Sequence, residues 1–134
     1  KDASTDQKGI VQLNNTLTST STTEAATANT VKLLNDRFTN DFLNLKSENG
    51  YQKLSGGLII QWGKFTAVTN YGSGQLVSLP IAFPNRVLFA VFSEDASATT
   101  AVETAQWVTP TTTKSQLCVV TYYTGYCYYF ALGY

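Results

Sequence analysis

Histidine and methionine are missing from this 134-residue chain, cysteine occurs twice and proline three times. Charge is scarce as well, with nine basic and nine acidic side chains that cancel to zero. Each shortage excludes something. Without histidine the chain lacks the commonest general base and the commonest transition-metal ligand. Without a surplus of lysine and arginine it has no clustered basic face to neutralise phosphates, so nucleic acid is not an expected partner. The charge that exists is lopsided: 12 of the 18 charged side chains fall within residues 1–53, and the remaining 81 residues hold six. Two stretches, 65–85 and 115–134, carry none. The second invites a membrane reading, but its Gln, Thr, Gly and repeated Tyr interrupt any apolar run long enough to cross a bilayer. No membrane insertion is expected. The first twenty residues are polar and make no signal peptide. The start at Lys1, without a methionine, reads as that of a fragment of something longer.

The two cysteines, Cys118 and Cys127, flank Thr124-Gly125. A hairpin turning there sets Cys118 opposite Ala131 and Cys127 opposite Tyr122, so a disulfide requires the turn to lie elsewhere. The plainer reading is two buried thiols acting as small hydrophobes. Neither can be a nucleophile activated by histidine, because there is none.

What the chain does contain is serine and threonine, 30 of the 134 residues, with 13% aromatic and 43% hydrophobic residues. That much apolar and aromatic content argues against disorder. Abundant Thr, Val, Tyr and Phe with little charge favour strands in the C-terminal part. The length fits one domain, or one small domain plus a stalk. Near the start, Ile10–Leu13 is an apolar patch too short to make a core alone. Ser21-Thr22-Thr23-Glu24 has the spacing of a capping box, which predicts a helix from Glu24 to about Lys46, a stretch without Pro or Gly. Val31, Leu34, Phe38 and Leu45 fit two heptads, with Asp41 on the remaining seam position and Phe42 beside it. A single amphipathic helix packed on its own domain explains this narrow stripe, and a short parallel bundle of identical helices explains it equally well. Asn49-Gly50 supplies the stop.

From Tyr51 onward the period changes to two. Leu58–Gly63, Lys64–Thr69, Leu76–Leu79, Arg86–Ser93 and Gln106–Val108 read as strands. Gln116–Thr124 and Tyr126–Leu132 read as a hairpin, and Val87–Phe92 as a continuous, buried-looking run within its strand. Short strands at this spacing indicate an antiparallel sandwich or small barrel. A sandwich of about 80 residues has a marginal core, and association through a Tyr-rich surface would enlarge it.

Two stretches resemble pieces of tailed-phage fibres. Ala3–Leu13, followed by Thr23–Thr27 and Val31-Lys32, resembles the phage tail-fibre repeat. Asn49–Leu54 with Gly57–Gly63, and the ending Tyr129–Tyr134, resemble the gp53-like C-terminal domain of tail fibres, whose usual ending has Ile where this chain has Leu132. The resemblance divides the chain into a shaft remnant at 1–22, a helical stalk at 23–50 and a β-rich knob at 51–134. It implies a mainly β fold: an antiparallel, sandwich-like knob preceded by a short trimeric helical bundle. It also implies a homotrimeric receptor-binding tip at the distal end of a virion's tail fibre, attaching to a Gram-negative surface glycan such as lipopolysaccharide. Such a tip is assembled in the host cytoplasm, often with a tail-fibre assembly chaperone. A structural trimerisation and chaperone-docking cap, or the tip of a phage-derived bacteriocin, are the other readings.

No enzyme is expected. Glycan hydrolysis needs two carboxylates at a fixed separation, and the C-terminal part offers only Glu94, Asp95 and Glu103, in one polar segment. No cofactor or metal is expected either. Asp36 and Asp41 could meet calcium at a threefold axis, but a solvated helix face explains them more simply. Gly72-Ser73-Gly74 is a turn. Glycan binding needs an aromatic face against the apolar side of a sugar, ringed by hydroxyls and amides. Trp107 lies between Thr-rich loops and can serve either the core or a receptor. Tyr71 and Tyr126 stand beside turn glycines. Lys114, with Arg86 and Lys64, could meet phosphate or acidic sugars. The candidate receptor-binding residues are Tyr71, Trp107, Lys114 and Tyr126, and the candidate stalk seam is Val31, Leu34, Phe38 and Leu45.

Overall fold

The computed structural model describes residues 4, 6, 8–95 and 105–134, the side chain of Pro110 excepted. Two compact units divide the chain, Lys1–Asp41 and Phe42–Tyr134.

In the first unit, β1 (Leu13–Asn14) and β2 (Ala25–Ala26) pair in parallel and α1 (Ala28–Asp41) follows. The capping box forms only in part. The Ser21 hydroxyl accepts the Glu24 amide at 3.2 Å, but the Glu24 carboxylate takes a hydrogen bond from the Asn14 side-chain amide instead of reaching back to its own turn. Ala25 and Ala26 are drawn into pairing with β1, and the helix begins later, where Thr27 Oγ1 accepts the Thr30 amide at 3.1 Å. The buried residue of α1 is Thr30, whose hydroxyl donates to the Asn14 carbonyl at 3.1 Å.

The helix also ends earlier than the absence of Pro and Gly suggests. Beyond Asp41 the backbone turns to the sheet of the second unit. Lys53 N–H donates to the Leu43 carbonyl at 2.9 Å, and the Gln52 side-chain amide donates to the Phe42 carbonyl at 3.1 Å. Asn44–Leu45 becomes β3, paired with Gln52 and Tyr51. Leu45 therefore stands on a strand and not on the helical seam. Val31, Leu34 and Phe38 remain on α1, and all three are exposed.

The second unit holds two antiparallel sheets. One has the order β3-β4-β5-β10-β7, adding β4 (Gly50–Lys53), β5 (Ile59–Ala67), β7 (Val87–Glu94) and β10 (Gly125–Gly133). The other is β6-β9-β8, made of β6 (Gln75–Ser78), β9 (Gln116–Thr121) and β8 (Ala105–Trp107). Cys127, Tyr129, Ala131 and Gly133 of β10 face inward while Tyr126, Tyr128 and Phe130 face out, the period-two signature of a half-buried strand. Ile59, Ala90, Tyr129 and Ala131 of the larger sheet join Val77, Leu117 and Val119 of the smaller, with Phe83, in one core. The unit is mainly β and sandwich-like.

Three sequence expectations are corrected here. The two strands expected over 58–69 are one, β5, which runs through Gly63 in unbroken register with β10; Gly63 lies under the Tyr129 ring, where a Cβ would come within 2.6 Å of the hydroxyl. The segments 116–124 and 126–132 do not form a hairpin. β9 pairs with β6 and β8, β10 with β5 and β7, and Tyr122–Thr124 crosses from one sheet to the other. β7 is not the buried strand its apolar run suggests, since Phe89 and Val91 stand exposed on its outer side. The two cysteines are free and buried. Between β6 and β7, the fully buried Gln61 ties down the irregular link by donating to the Ile81 carbonyl at 2.9 Å and accepting its N–H at 3.0 Å.

Candidate functional site

One cleft of about 440 Å³ in the second unit gathers two of the four candidate receptor residues. It is lined by Asn85, Arg86 and Val87 at the start of β7, Trp107 at the end of β8, and Thr109, Thr112, Thr113 and Lys114 of the loop leading into β9.

Each wall is held by its own hydrogen bonds. The indole N–H of Trp107 donates to Thr112 Oγ1 at 2.8 Å, and that hydroxyl donates to the Val108 carbonyl at 2.9 Å and accepts the Cys118 amide at 3.1 Å. The Thr112 hydroxyl thus fixes the indole, the start of the loop and the adjoining strand together. The Lys114 ammonium donates to the Pro84 carbonyl at 2.6 Å, and the Lys114 carbonyl accepts the Phe83 amide at 2.8 Å. Opposite, the Tyr134 backbone oxygen accepts the amides of Asn85 at 2.6 Å and Arg86 at 2.9 Å. Gly133 permits that closeness: a Cβ there would lie 2.5 Å from the Arg86 carbonyl and from the Phe83 ring.

Trp107 is half-buried, packing against the core while also lining the cleft, so both readings of this residue apply. Arg86 and Lys114 supply two positive charges and the lining residues include no carboxylate. The combination is an aromatic wall, threonine hydroxyls, an asparagine amide and two cations. It suits a sugar that carries phosphate or carboxylate, with the guanidinium and ammonium pairing the anion.

Tyr71 and Tyr126 lie elsewhere. Tyr71 stands in the turn after β5, 78% exposed, with Tyr122 edge-on at 5.9 Å between ring centroids. Tyr126 is on the outer face of β10, where the Lys64 ammonium sits 3.9 Å from its ring centroid and 5.5 Å from that of Tyr128. Desolvation pulls the Lys64 ammonium down, but the hydrogen bond and charge of Tyr128, with Glu48 and Tyr126, outweigh it and leave its pKa above the ordinary lysine value. The Cys127 thiol is pushed up by burial, against the opposing pull of its hydrogen bonds to Tyr123 and the Ser93 backbone, which keeps it protonated and inert.

Among the carboxylates, Asp95 accepts the Tyr128 hydroxyl at 3.3 Å, and Glu103 lies outside the described residues. Among the described residues, no group of three His, Cys, Asp or Glu comes close enough to hold a metal, and no helix is long and apolar enough to cross a membrane.

Sequence reasoning missed Tyr122 as the companion of Tyr71, and missed Asn85, Thr109, Thr112 and Thr113. The Thr-rich flanks of Trp107 were the available signal for the threonines. No local signal connects residue 85 to residue 107.

Comparison with known proteins places these features in context. Residues 53–134 match the family model described as tail fiber protein gp53-like, C-terminal. Residues 4–42 match the phage tail fibre repeat. No curated protein matches the chain. Among solved structures, an N-truncated R2-type pyocin tail fibre superposes with a TM-score of 0.60 at 17% identity, over 69% of this chain and 37% of that one. A Pseudomonas aeruginosa R2 pyocin fibre gives the same TM-score and identity over 69% and 25%. An N-truncated R1-type pyocin tail fibre gives a TM-score of 0.53 at 24% identity, over 80% and 98%. This chain spans little more than a third of the first of these and a quarter of the second. At such identities the likeness shows the fold.

Proposed function

From a chain that belongs to the gp53-like family of tail-fibre C-terminal domains, with a tail-fibre repeat before it, we propose a receptor-binding tip that attaches a phage particle to a glycan of the host surface. The glycan is lipopolysaccharide, met through its acidic or phosphorylated sugars. Attachment is non-covalent and non-enzymatic. The observation that carries this reading is the cleft lined together by Trp107, the two cations Arg86 and Lys114, and threonine side chains.

The working unit is a homotrimer at the distal end of the fibre, assembled in the host cytoplasm with the help of a tail-fibre chaperone. Supporting it are the exposed stripe Val31, Leu34 and Phe38 on α1, and the outer face of the larger sheet, where Phe89, Val91, Tyr128 and Phe130 are exposed together. Three weak sites on one tip give avidity without any single site being tight. The likeness to pyocin fibres supports a second reading, the tip of a phage-derived bacteriocin, which uses the same cleft in the same way.

Binding of the full chain to immobilised lipopolysaccharide, compared with a variant carrying Arg86→Ala and Lys114→Ala, tests the proposal. Loss of the two charge-assisted contacts should weaken binding at least about tenfold and flatten its salt dependence. Equal binding by the double variant would overturn the assignment of the cleft.

A further inference from the structure

Apart from the cleft, the turn between β5 and β6 holds a residue in a conformation that its side chain does not favour. Tyr71 has φ +39°, and it is the non-glycine residue of the described chain with positive φ. A left-handed tyrosine costs on the order of 1–2 kcal/mol, and it persists only where its surroundings impose it. Here they do. The Asn70 side chain donates to the Val119 carbonyl at 3.2 Å and accepts the Thr121 amide at 3.3 Å, while its backbone N–H donates to the Thr121 carbonyl at 3.1 Å. Ser73 N–H closes the turn on the Asn70 carbonyl at 2.9 Å. Gly74, at φ +74°, lies so close over Cys118 that a Cβ would come within 2.5 Å of the sulfur. The turn is clamped to β9, and the ring it projects is set against Tyr122, itself exposed.

Strain spent on holding an aromatic ring in water points to a ligand. We infer that Tyr71 and Tyr122 form a second sugar-binding platform, separate from the Trp107 cleft, whose ligand is a neutral pyranose ring of the host-surface polysaccharide. This rests on the reading of the chain as a receptor-binding tip and deepens it. Neutrality follows from the surroundings. The segments that carry the two rings, 65–85 and 115–134, hold no charged residue, and among the described residues the polar groups flanking them include the amide of Asn70 and the paired hydroxyls of Thr69 and Thr124. An edge-to-face pair leaves a ring face open for the C–H side of a sugar. A second copy of the chain is the less suitable occupant, because the broad apolar surface that would meet it is the outer face of the larger sheet.

The test uses the full chain on an array of purified bacterial polysaccharides, neutral and acidic, with Tyr71→Gly, Tyr122→Ala and the Arg86→Ala/Lys114→Ala double variant. Glycine takes the left-handed turn without strain, so Tyr71→Gly removes the ring while leaving the fold. Tyr71→Gly and Tyr122→Ala should each lose at least about tenfold on neutral polysaccharides, at unchanged native mass and with unfolding midpoints within a few degrees of wild type. The double variant should lose the acidic ones alone. Wild-type binding to neutral polysaccharides by Tyr71→Gly and Tyr122→Ala overturns the platform, as does failure of the wild-type chain to bind any neutral polysaccharide. A drop in native mass on substitution also overturns it, because the rings would then be packing a second copy. The cleft fails separately, if the double variant keeps its acidic ligands.

Discussion

Thr112 offers the sharpest test of how the cleft is built. Its hydroxyl makes three hydrogen bonds, to the Trp107 indole, the Val108 carbonyl and the Cys118 amide. Thr112→Val keeps the shape and deletes all three. At about 1 kcal/mol net per bond the simple sum is about 3 kcal/mol. Trp107 and Val108 are half-buried and can turn to water, which lowers their share, whereas the Cys118 amide belongs to a buried strand residue and loses its partner outright. The expected loss is therefore about 2–3 kcal/mol, most of it from the strand side. Urea unfolding of the full chain at fixed protomer concentration reads it directly. The same variant should bind lipopolysaccharide more weakly, because the indole loses the acceptor that orients it. Thr112→Ser, which keeps the oxygen, should recover most of both losses. A Thr112→Val chain that unfolds within about 0.5 kcal/mol of wild type and binds as well would refute the view that this hydroxyl organises the site.

Tyr129 carries a second prediction. Burial raises its phenol to about 12, and its hydroxyl has no hydrogen-bond partner among the described residues. The folded chain holds the neutral phenol while the unfolded chain ionises near 10, so this contribution is whole below about pH 10 and is lost as pH rises toward about 12. Tyr129→Phe should stabilise the chain by about 1 kcal/mol at neutral pH and flatten that alkaline decline, both readable in urea midpoints against pH. Light scattering should give a native mass about three times the chain mass of 14.6 kDa, with co-expression of the assembly chaperone if folding requires it. A monomer would remove the homotrimer.

The sequence made some of this structure legible and hid the rest for physical reasons. The alternation Tyr126 to Leu132 announces a half-buried strand, and β10 is one. Its pairing is another matter. Thr124-Gly125 between two period-two segments looks like a hairpin turn, yet the partners of β9 and β10 are set by strands as distant as β5 and β6, and no local pattern carries that information. The helix start shows the same limit. Both Ser21 and Thr27 can cap, and the choice falls to Thr27 because Ala25 and Ala26, good helix formers in isolation, are claimed by β1. At the site, Trp107 and Lys114 were recognisable by residue type near a Thr-rich loop. Arg86 reaches the same cleft from the start of β7, and Tyr122 reaches Tyr71 only because the chain crosses between sheets at that point.

The central claim is that the tip grips surface sugar. The direct measurement is binding of fluorescently labelled full chain to intact Gram-negative cells before and after periodate oxidation of their surface glycans, with protease-treated cells alongside. Binding that is abolished by periodate and survives protease is the predicted result. Binding that survives periodate and is lost to protease would contradict it and make the receptor a protein.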